Sequence, residues 1–327
     1  MSGALAAESG GEKRGNYMSF DYHKVTAADA AWARPILLAA DKVSCEYTFA
    51  NIFMWSHIYH TRLTLHDGLV IVRYEDPEQK EDSPYSYLFP AGEGDIASAL
   101  EEIIRETTDA GKKFQIFSIS EKEKQWMENT FPGRFDYVMS RDEADYLYES
   151  AALRELKGKK LQKKRNHVSR FIRENPDYQV EELNGQNLEE VMAFNNQWAN
   201  LYDNRGDEGI AEEHKAVELV LRHYRELGLS GCLLRVKGKI AAFSYGSPVS
   251  NRVFDVHVEK ALYDVTGAYN MINREFARRF CENYEYINRE DDVGSEGLRE
   301  AKLSYHPAFL EYKYIATLKG MKTKWFI

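Results

Sequence analysis

The two halves of this 327-residue chain carry the same predicted order of strands and helices. In each half, alternating or β-branched apolar runs predict strands, and apolar residues three or four positions apart predict helices. The order in both is three strands, a helix, a strand, a helix and a strand. The strands are predicted at 61–75 (a hairpin), 85–89, 113–119 and 134–140, and again at 231–246 (a hairpin), 251–259, 284–288 and 309–318. This order predicts two lobes of similar fold, and at roughly 100 to 200 residues per domain the length allows two.

The mixture of strands and helices predicts the α+β class, with mixed, α/β-like sheets. We place the N-terminal lobe at 18–150, a basic helical connector at 151–179, and the C-terminal lobe with the active site at 180–327. The pair Asn175-Pro176 ends the connector's helix, because the residue before a proline disfavours helical backbone angles. Residues 1–17 are rich in Gly, Ala and Ser and are expected to form a flexible tail.

Charge and cysteine content restrict the class of protein. The net charge of −9 argues against a surface built to be coated with nucleic acid. The three cysteines, Cys45, Cys232 and Cys281, are far apart and lack the Cys-x-x-Cys spacing of metal or redox pairs, so no metal is expected. No apolar run reaches the ~18 residues of a membrane span, and the first residues lack the apolar core of a signal peptide. We therefore expect a cytoplasmic protein without a transmembrane segment.

The predicted strand at 253–259 carries three titratable side chains at alternate positions: Asp255, His257 and Glu259. Because side chains alternate between the faces of a strand, all three are expected on one face. Such a row can supply a general base for deprotonating an amine, since neighbouring charges move pKa values toward neutrality. The alternative interpretation is an antiparallel strand with a solvated outer face.

The helix predicted at 268–280 follows a glycine. Backbone N–H groups at a helix start attract phosphate, and glycine permits close approach. Thr266, Gly267 and Ala268 are therefore predicted to bind the phosphates of a donor. The segment is similar to the Arg/Gln-x-x-Gly-x-Gly/Ala loop with which GNAT acyltransferases bind the pyrophosphate of coenzyme A. It departs from that loop at Asp264, in the first position, and at Tyr269, in the last.

Tyr305 stands four residues after Ala301, in the helix predicted after the strand that ends at Asn288. In GNAT enzymes a tyrosine in this layout often protonates the leaving thiolate. A phenol can do so because its pKa of ~10 keeps it protonated at neutral pH. The alternative interpretation is that Tyr305 packs a helix end.

A dense run of charge follows the same strand, at a place where α/β sheets commonly bind ligands. The carboxylates of this run are predicted to recognise a cationic or amine acceptor. The acceptor-binding residues are Asn288, Arg289, Glu290, Asp291 and Asp292. The alternative interpretation is an acidic loop whose Asp292 caps the next helix.

The connector holds nine Lys or Arg residues between Arg154 and Arg173. On a helical wheel Lys164 falls in the middle of an otherwise apolar face, where an unpartnered lysine is unfavourable. Lys160, Lys164 and Arg165 are therefore predicted to hold the phosphates of a donor. The alternative interpretation is a solvated helix whose lysine stems snorkel to water.

The segments 146–174 and 287–314 resemble hallmarks of a bacterial family of soluble proteins. The most specific motifs are Lys164-Arg165-Asn166, Asn288 to Asp292, Gly297-Leu298-Arg299 and Lys302 to Tyr305. That family is similar to the C-terminal catalytic domain of phosphatidylglycerol lysyltransferases. The resemblance covers about residues 18–327 and implies two tandem GNAT-like (acyl-CoA N-acyltransferase) domains, of which the N-terminal one is expected to be degenerate. It also implies kinship with the Fem transferases, which take an aminoacyl group from charged tRNA.

Two hypotheses of function follow. The leading one is an acyltransferase that moves an acyl or aminoacyl group from acyl-CoA or aminoacyl-tRNA, without a tightly bound cofactor, to an amine or hydroxyl. Under it a carboxylate or His257 deprotonates a small-molecule or lipid-headgroup acceptor, and Tyr305 or a water protonates the leaving group. The alternative is a non-catalytic sensor that holds a polyanion on its basic segment, with a strong dependence on salt.

Overall fold

The computed structural model describes residues 20–78, 83–202 and 208–321; the tail predicted at 1–17 lies outside the described residues. The described helices are α1 (Ala30–Ala39), α2 (Phe49–Trp55), α3 (Ile96–Asp109), α4 (Glu121–Thr130), α5 (Ser150–Glu155), α6 (Gln162–Glu174), α7 (Leu188–Tyr202), α8 (Glu208–Arg222), α9 (Ala268–Phe280) and α10 (Glu296–Leu303). The described strands are β1 (His23–Lys24), β2 (Arg62–His66), β3 (Leu69–Tyr74), β4 (Tyr85–Leu88), β5 (Ala91–Gly92), β6 (Phe114–Ile119), β7 (Phe135–Met139), β8 (Asp145–Glu149), β9 (Gln179–Glu182), β10 (Ser230–Val236), β11 (Lys239–Pro248), β12 (Val253–Ala261), β13 (Tyr286–Asn288), β14 (Phe309–Glu311) and β15 (Tyr314–Leu318). No helix in these ranges has the length and apolar character needed to cross a bilayer.

The strands form two mixed sheets. The first has the order β1-β2-β3-β4-β6-β15-β7, with β5 beside β3, and its β4 and β6 are parallel. The second has the order β14-β8-β13-β12-β11-β10-β9, and its β12 and β13 are parallel. The predicted α+β class with two mixed sheets of GNAT-like kind is confirmed.

Three apolar cores arrange these elements in layers. Helices α3 and α4 cover the outer face of the first sheet, and α5, α6 and α9 cover the outer face of the second. Helices α1, α2, α7 and α8 fill the space between the two sheets. The second sheet therefore has an inner face toward the N-terminal half and an outer face toward α9.

The two halves exchange strands. β8 precedes residue 150 but lies in the second sheet, between β13 and β14. The segment 309–318, predicted as one strand, forms β14 in the second sheet and β15 in the first, and the chain crosses over at Tyr312 and Lys313. Strand membership thus crosses the predicted lobe boundary twice, because these strands find partners in the other half.

The connector consists of two helices rather than one. α5 ends at Glu155 and is followed by Leu156, whose φ of 51° is left-handed, and α6 begins at Gln162. α6 ends at Glu174, immediately before the predicted stop at Asn175-Pro176. Since the helix does not reach back past Gly158, Lys160 lies in the turn before α6 and is exposed.

Candidate functional site

β12 and β13 separate in the middle of the second sheet. They pair in parallel only where Val253–Asp255 faces Tyr286–Asn288. β13 ends there, whereas β12 continues to Ala261 without a neighbour on that side among the described strands. A strand edge without a partner presents N–H and C=O groups to a ligand. We call this space the β12–β13 opening.

A β-bulge at His257 changes which face the side chains of β12 occupy. Tyr245 pairs with Val258 and Gly246 pairs with Val256, so His257 is the extra residue. A bulge interrupts the alternation of side chains. The prediction that Asp255, His257 and Glu259 share a face is therefore wrong: the first two lie on the inner face and Glu259 on the outer one.

The outer face of the opening holds a largely buried charge pair, with buried polar atoms around it that have no partner in the described chain. Glu259 Oε1 accepts from Arg289 Nη2 at 3.0 Å, and its Oε2 accepts from Asn273 Nδ2 at 2.8 Å. Arg289 Nη1, Asn273 Oδ1 and the hydroxyl of the neighbouring Ser244 are buried without a partner in the described chain. Buried polar atoms are normally hydrogen-bonded, so these three mark where a ligand or water is expected.

Tyr305 faces the same opening from the end of α10. Its hydroxyl oxygen accepts a hydrogen bond of 2.6 Å from Asn270 Nδ2, which leaves the phenolic hydrogen free to be donated. Burial raises the pKa of Tyr305 to about 12, against the opposing charge of Arg289. Tyr305 is therefore a protonated acid at neutral pH, as the leading hypothesis requires.

Lys164 extends from α6 toward this tyrosine. Its Nζ lies 4.0 Å from the ring centre of Tyr305, and the guanidinium carbon of Arg289 lies 4.9 Å from the same centre. Burial lowers the pKa of Lys164, and the positive charge of Arg289 lowers it further. Two cations thus pack against one phenol ring and concentrate positive charge at this end of the opening.

The predicted phosphate site at the start of α9 lies under α6. Gly267 has φ +81°, and a Cβ on it would lie 2.6 Å from the carbonyl oxygen of His167. The N–H of Ala268 donates to Val265, and Thr266 is half-buried. The group that approaches Gly267 closely is thus the backbone of α6, at the place where the sequence predicted a donor phosphate.

Replacing Gly267 with alanine should destabilise the fold by about 1–3 kcal/mol, because an alanine is strained at this φ and clashes with α6. Gly297→Ala is the matched control, since Gly297 is in α10 and nothing lies within 4 Å of its added Cβ. That control should be neutral or up to about 1 kcal/mol stabilising. Urea unfolding of both variants measures the two effects, and equal stabilities would contradict the contact between α6 and Gly267.

Arg165 is engaged in holding the connector together. Its guanidinium donates to the backbone carbonyls of Leu156 and Gly158, at the end of α5. Arginine side chains commonly satisfy the free carbonyls at a helix end. Arg165 therefore fixes the turn that sets the direction of α6.

Asn288 lies inside the protein rather than at an acceptor site. Its amide donates to the Asp145 carboxylate at 2.8 Å and to the carbonyl of Val43 at 3.0 Å, and the residue is fully buried. Asn288 thus fixes the end of β13.

Asp291 is half-buried, and its carboxylate lies 3.9 Å from the ammonium of Lys313. Burial raises the pKa of Asp291 to about 7.

Asp292 is also committed to internal contacts. Its two oxygens accept hydrogen bonds from Arg299, and Tyr146 and Arg141 bind the same carboxylate. Although burial opposes it, the hydrogen bonds from Arg299 and Tyr146 hold the pKa of Asp292 well below its usual value. Ser295, not Asp292, caps α10. These contacts leave no free oxygen on Asp292 for an acceptor.

The inner face of β12 carries a second polar cluster that includes a residue from the N-terminal half. His257 Nδ1 lies 3.0 Å from Asp255 Oδ2 and 3.4 Å from Glu290 Oε1. Asn51, in α2, donates to Glu290 Oε1 at 2.9 Å and contacts Asp255 Oδ2 at 3.5 Å. Glu290 has the left-handed φ of 57°, an unusual conformation that is often found at functional sites. We call Asp255, His257 and Glu290 the inner cluster.

The protonation of the inner cluster bears on the predicted base. Burial, followed by the charge of Glu290, raises the pKa of Asp255 to about 8. Burial opposes a charge on His257, but the Asp255 carboxylate outweighs it and raises the pKa of His257 to about 9. Its Nε2 is also within 2.8 Å of the Ser247 hydroxyl. As long as no other cation is bound, the two carboxylates therefore favour the protonated imidazole, which makes His257 a poor base for an amine.

Parallel strands that separate beside a bulged strand of a mixed sheet agree with the GNAT-like, transferase-like fold predicted from the sequence. The chain belongs to the family described as phosphatidylglycerol lysyltransferase, C-terminal, which matches residues 39–317.

Related proteins and solved structures resemble the chain in sequence or in fold. The chain is similar to a conserved protein of unknown function from Bacteroides thetaiotaomicron VPI-5482, with 36% identity, TM-score 0.87 and coverage of 92% of this chain and 100% of that one. The C-terminal domain of a protein assigned as a lysylphosphatidylglycerol synthetase, from Agrobacterium fabrum, shares the fold at 16% identity, with TM-score 0.66 and coverage of 90% and 92%. An uncharacterized protein of Mycoplasmoides gallisepticum is 24% identical over 194 residues, which are 59% of this chain and 61% of that relative's length.

Proposed function

We propose that the protein transfers an aminoacyl group from a charged tRNA to an amine or hydroxyl acceptor, and that the reaction takes place in the β12–β13 opening. The observation that carries the proposal is the convergence of Glu259, Arg289 and Tyr305 on that opening. One carboxylate, one cation with an unused N–H and one phenol supply the groups that acyl transfer requires. An acyl-coenzyme A donor is the alternative.

In this mechanism the acceptor nitrogen or oxygen attacks the carbonyl carbon of the donor ester. Glu259 takes the proton that the nucleophile loses, because it is the carboxylate that shares the opening with Tyr305. Arg289 Nη1 donates to the carbonyl oxygen as negative charge develops on it. The bond to the ribose oxygen then breaks, and Tyr305 protonates that oxygen. Water carries the proton from Glu259 back to the tyrosinate, which restores both groups.

The donor is inferred from the surface of α6. This helix covers the glycine at which a GNAT enzyme would seat a pyrophosphate, and its exposed side includes Lys163 and Arg173, with Lys160 just before it. A tRNA is a long polyanion that can lie along such a helix and place its aminoacylated end near Lys164. We therefore favour a charged tRNA, which would also place the protein in the cytoplasm.

The acceptor is inferred from the family. Its name describes a lysyl transfer to phosphatidylglycerol, whose headgroup supplies a hydroxyl. We propose a lipid headgroup or a small molecule with a similar hydroxyl or amine for this chain. Lysine is the aminoacyl group to be tried first.

Binding of charged tRNA should weaken in the double variant Lys160→Gln/Lys163→Gln, and the slope of log affinity against log salt should fall by about 2. Lys237→Gln/Lys239→Gln, at the exposed end of the β10–β11 hairpin, is the matched control and should leave affinity and slope unchanged. Titrations with lysyl-tRNA, uncharged tRNA and acetyl-coenzyme A measure both effects. Saturable binding of none of the three would refute the proposed function.

A further inference from the structure

Among the described residues, the inner cluster has two carboxylates and only the imidazole of His257 to pair with them. Its two carboxylates, Asp255 and Glu290, approach a single imidazole nitrogen of His257, and no Lys or Arg among the described residues forms an ion pair with either of them. Asp255 is fully buried and His257 nearly so. Two buried or half-buried carboxylates on one nitrogen need a positive charge between them, which is either a proton or a metal ion.

A neighbouring cluster shows how buried carboxylates are usually neutralised, by the ammonium of a lysine. Cys45, Glu46 and Asp145 also bring three ligand atoms together. There the ammonium of Lys313 lies 2.5 Å from Glu46 and 2.9 Å from Asp145, so the charge is already compensated. The inner cluster has similar geometry but no such lysine.

A second observation points to a ligand at the inner cluster. Asp255 Oδ1 is buried without a hydrogen-bond partner in the described chain, although Asp255 Oδ2 faces His257. A buried carboxylate oxygen without a donor is unfavourable. A metal ion bound by both oxygens of Asp255 would satisfy it.

The residues around the inner cluster hydrogen-bond its side chains in the way that neighbouring residues orient metal ligands. Ser247 lies 2.8 Å from His257 Nε2 and can hold the proton on that nitrogen, which leaves Nδ1 as the ligand atom. Asn51 contacts both carboxylates and orients them. The Glu290 side chain is 28% exposed, so an ion can enter and a coordination position can remain open.

We propose that Asp255, His257 and Glu290 bind a first-row divalent cation such as Zn²⁺ or Mn²⁺. Tetrahedral ligands at bond lengths of ~2.0 Å are about 3.3 Å apart, close to the 3.0 and 3.4 Å separations from His257 Nδ1. An imidazole with two carboxylates favours these ions over Mg²⁺ or Ca²⁺, which prefer oxygen ligands alone. The site lies on the opposite face of the sheet from Glu259, so it does not depend on the proposed reaction.

The test is metal binding by the full chain after treatment with a chelator and dialysis. Calorimetry with Zn²⁺, Mn²⁺ and Mg²⁺, together with elemental analysis, should show about one tightly bound Zn²⁺ per chain and at least about 100-fold weaker binding in His257→Gln. Ser247→Ala should weaken binding by about 10- to 100-fold. His306→Gln replaces an exposed histidine and is the matched control, for which binding should be unchanged.

Glu290→Gln keeps the test decisive if His257→Gln does not fold, because Glu290 is partly exposed. Co²⁺ added to the wild-type chain should give visible absorption bands that are lost in Glu290→Gln. Absence of saturable Zn²⁺ and Mn²⁺ binding to the wild-type chain would overturn the proposal. So would equal affinity in the wild type and in a folded Glu290→Gln variant, which would place the ion elsewhere.

Discussion

Replacing Lys313 with methionine is expected to destabilise the protein by about 3–5 kcal/mol. Lys313 is buried where the chain crosses from one sheet to the other, and its ammonium binds the carboxylates of Asp145 and Glu46. Burial opposes the charge of Lys313, but these two carboxylates outweigh it and hold its pKa well above the usual value. Methionine fills a similar volume but leaves both carboxylates without a cation.

Chemical unfolding of Lys313→Met and of the control Lys319→Met measures this effect. Lys319 is exposed, and its substitution should change stability by no more than about 0.5 kcal/mol. A loss in Lys313→Met no larger than that of the control would show that the buried ion pairs do not hold the crossover.

Replacing Tyr305 with phenylalanine is expected to slow aminoacyl transfer by about 10²- to 10⁴-fold, the usual contribution of a positioned acid. Phenylalanine keeps the ring against Lys164 and Arg289 and removes only the hydroxyl that Asn270 holds. Donor affinity should therefore change little. Single-turnover release of the acyl group under saturating donor measures the rate.

Tyr312→Phe is the matched control, because Tyr312 is an exposed tyrosine seven positions away and should transfer at the wild-type rate. Equal rates in wild type, Tyr305→Phe and Tyr312→Phe would remove Tyr305 from the mechanism. The non-catalytic alternative instead predicts donor binding that depends on salt, with no transfer by any of the three proteins.

Local sequence patterns predicted most elements because the forces that shape them are local. The hairpin predicted at 61–75 is present, and so is the helix end predicted at Asn175-Pro176; both depend on neighbours a few residues away. The exchange of strands is not local. The segment 309–318 is one apolar stretch in sequence, and it divides because Lys313 finds its acidic partners between the sheets.

The same limit applies to the candidate site. The sequence singled out Glu259, Arg289 and Tyr305 as candidates, but the face on which Glu259 lies depends on a bulge whose register is set by β11. Asn51 contacts Glu290 from 239 positions away, and no local pattern signals such a contact. The sequence predicts Asp292 as an acceptor-binding residue because no local pattern shows that Arg299 binds its carboxylate.

The most direct test of the proposed reaction is the wild-type chain incubated with lysyl-tRNA that carries a labelled lysyl group. Phosphatidylglycerol vesicles and small hydroxyl or amine acceptors are supplied in separate reactions, and Glu259→Gln is run in parallel. We expect labelled product to form with at least one acceptor, together with loss of label from the tRNA well above spontaneous hydrolysis, and both to fall sharply in Glu259→Gln. Loss of label at the rate of buffer alone, with acetyl-coenzyme A equally unreactive, would contradict a transferase centre in the β12–β13 opening.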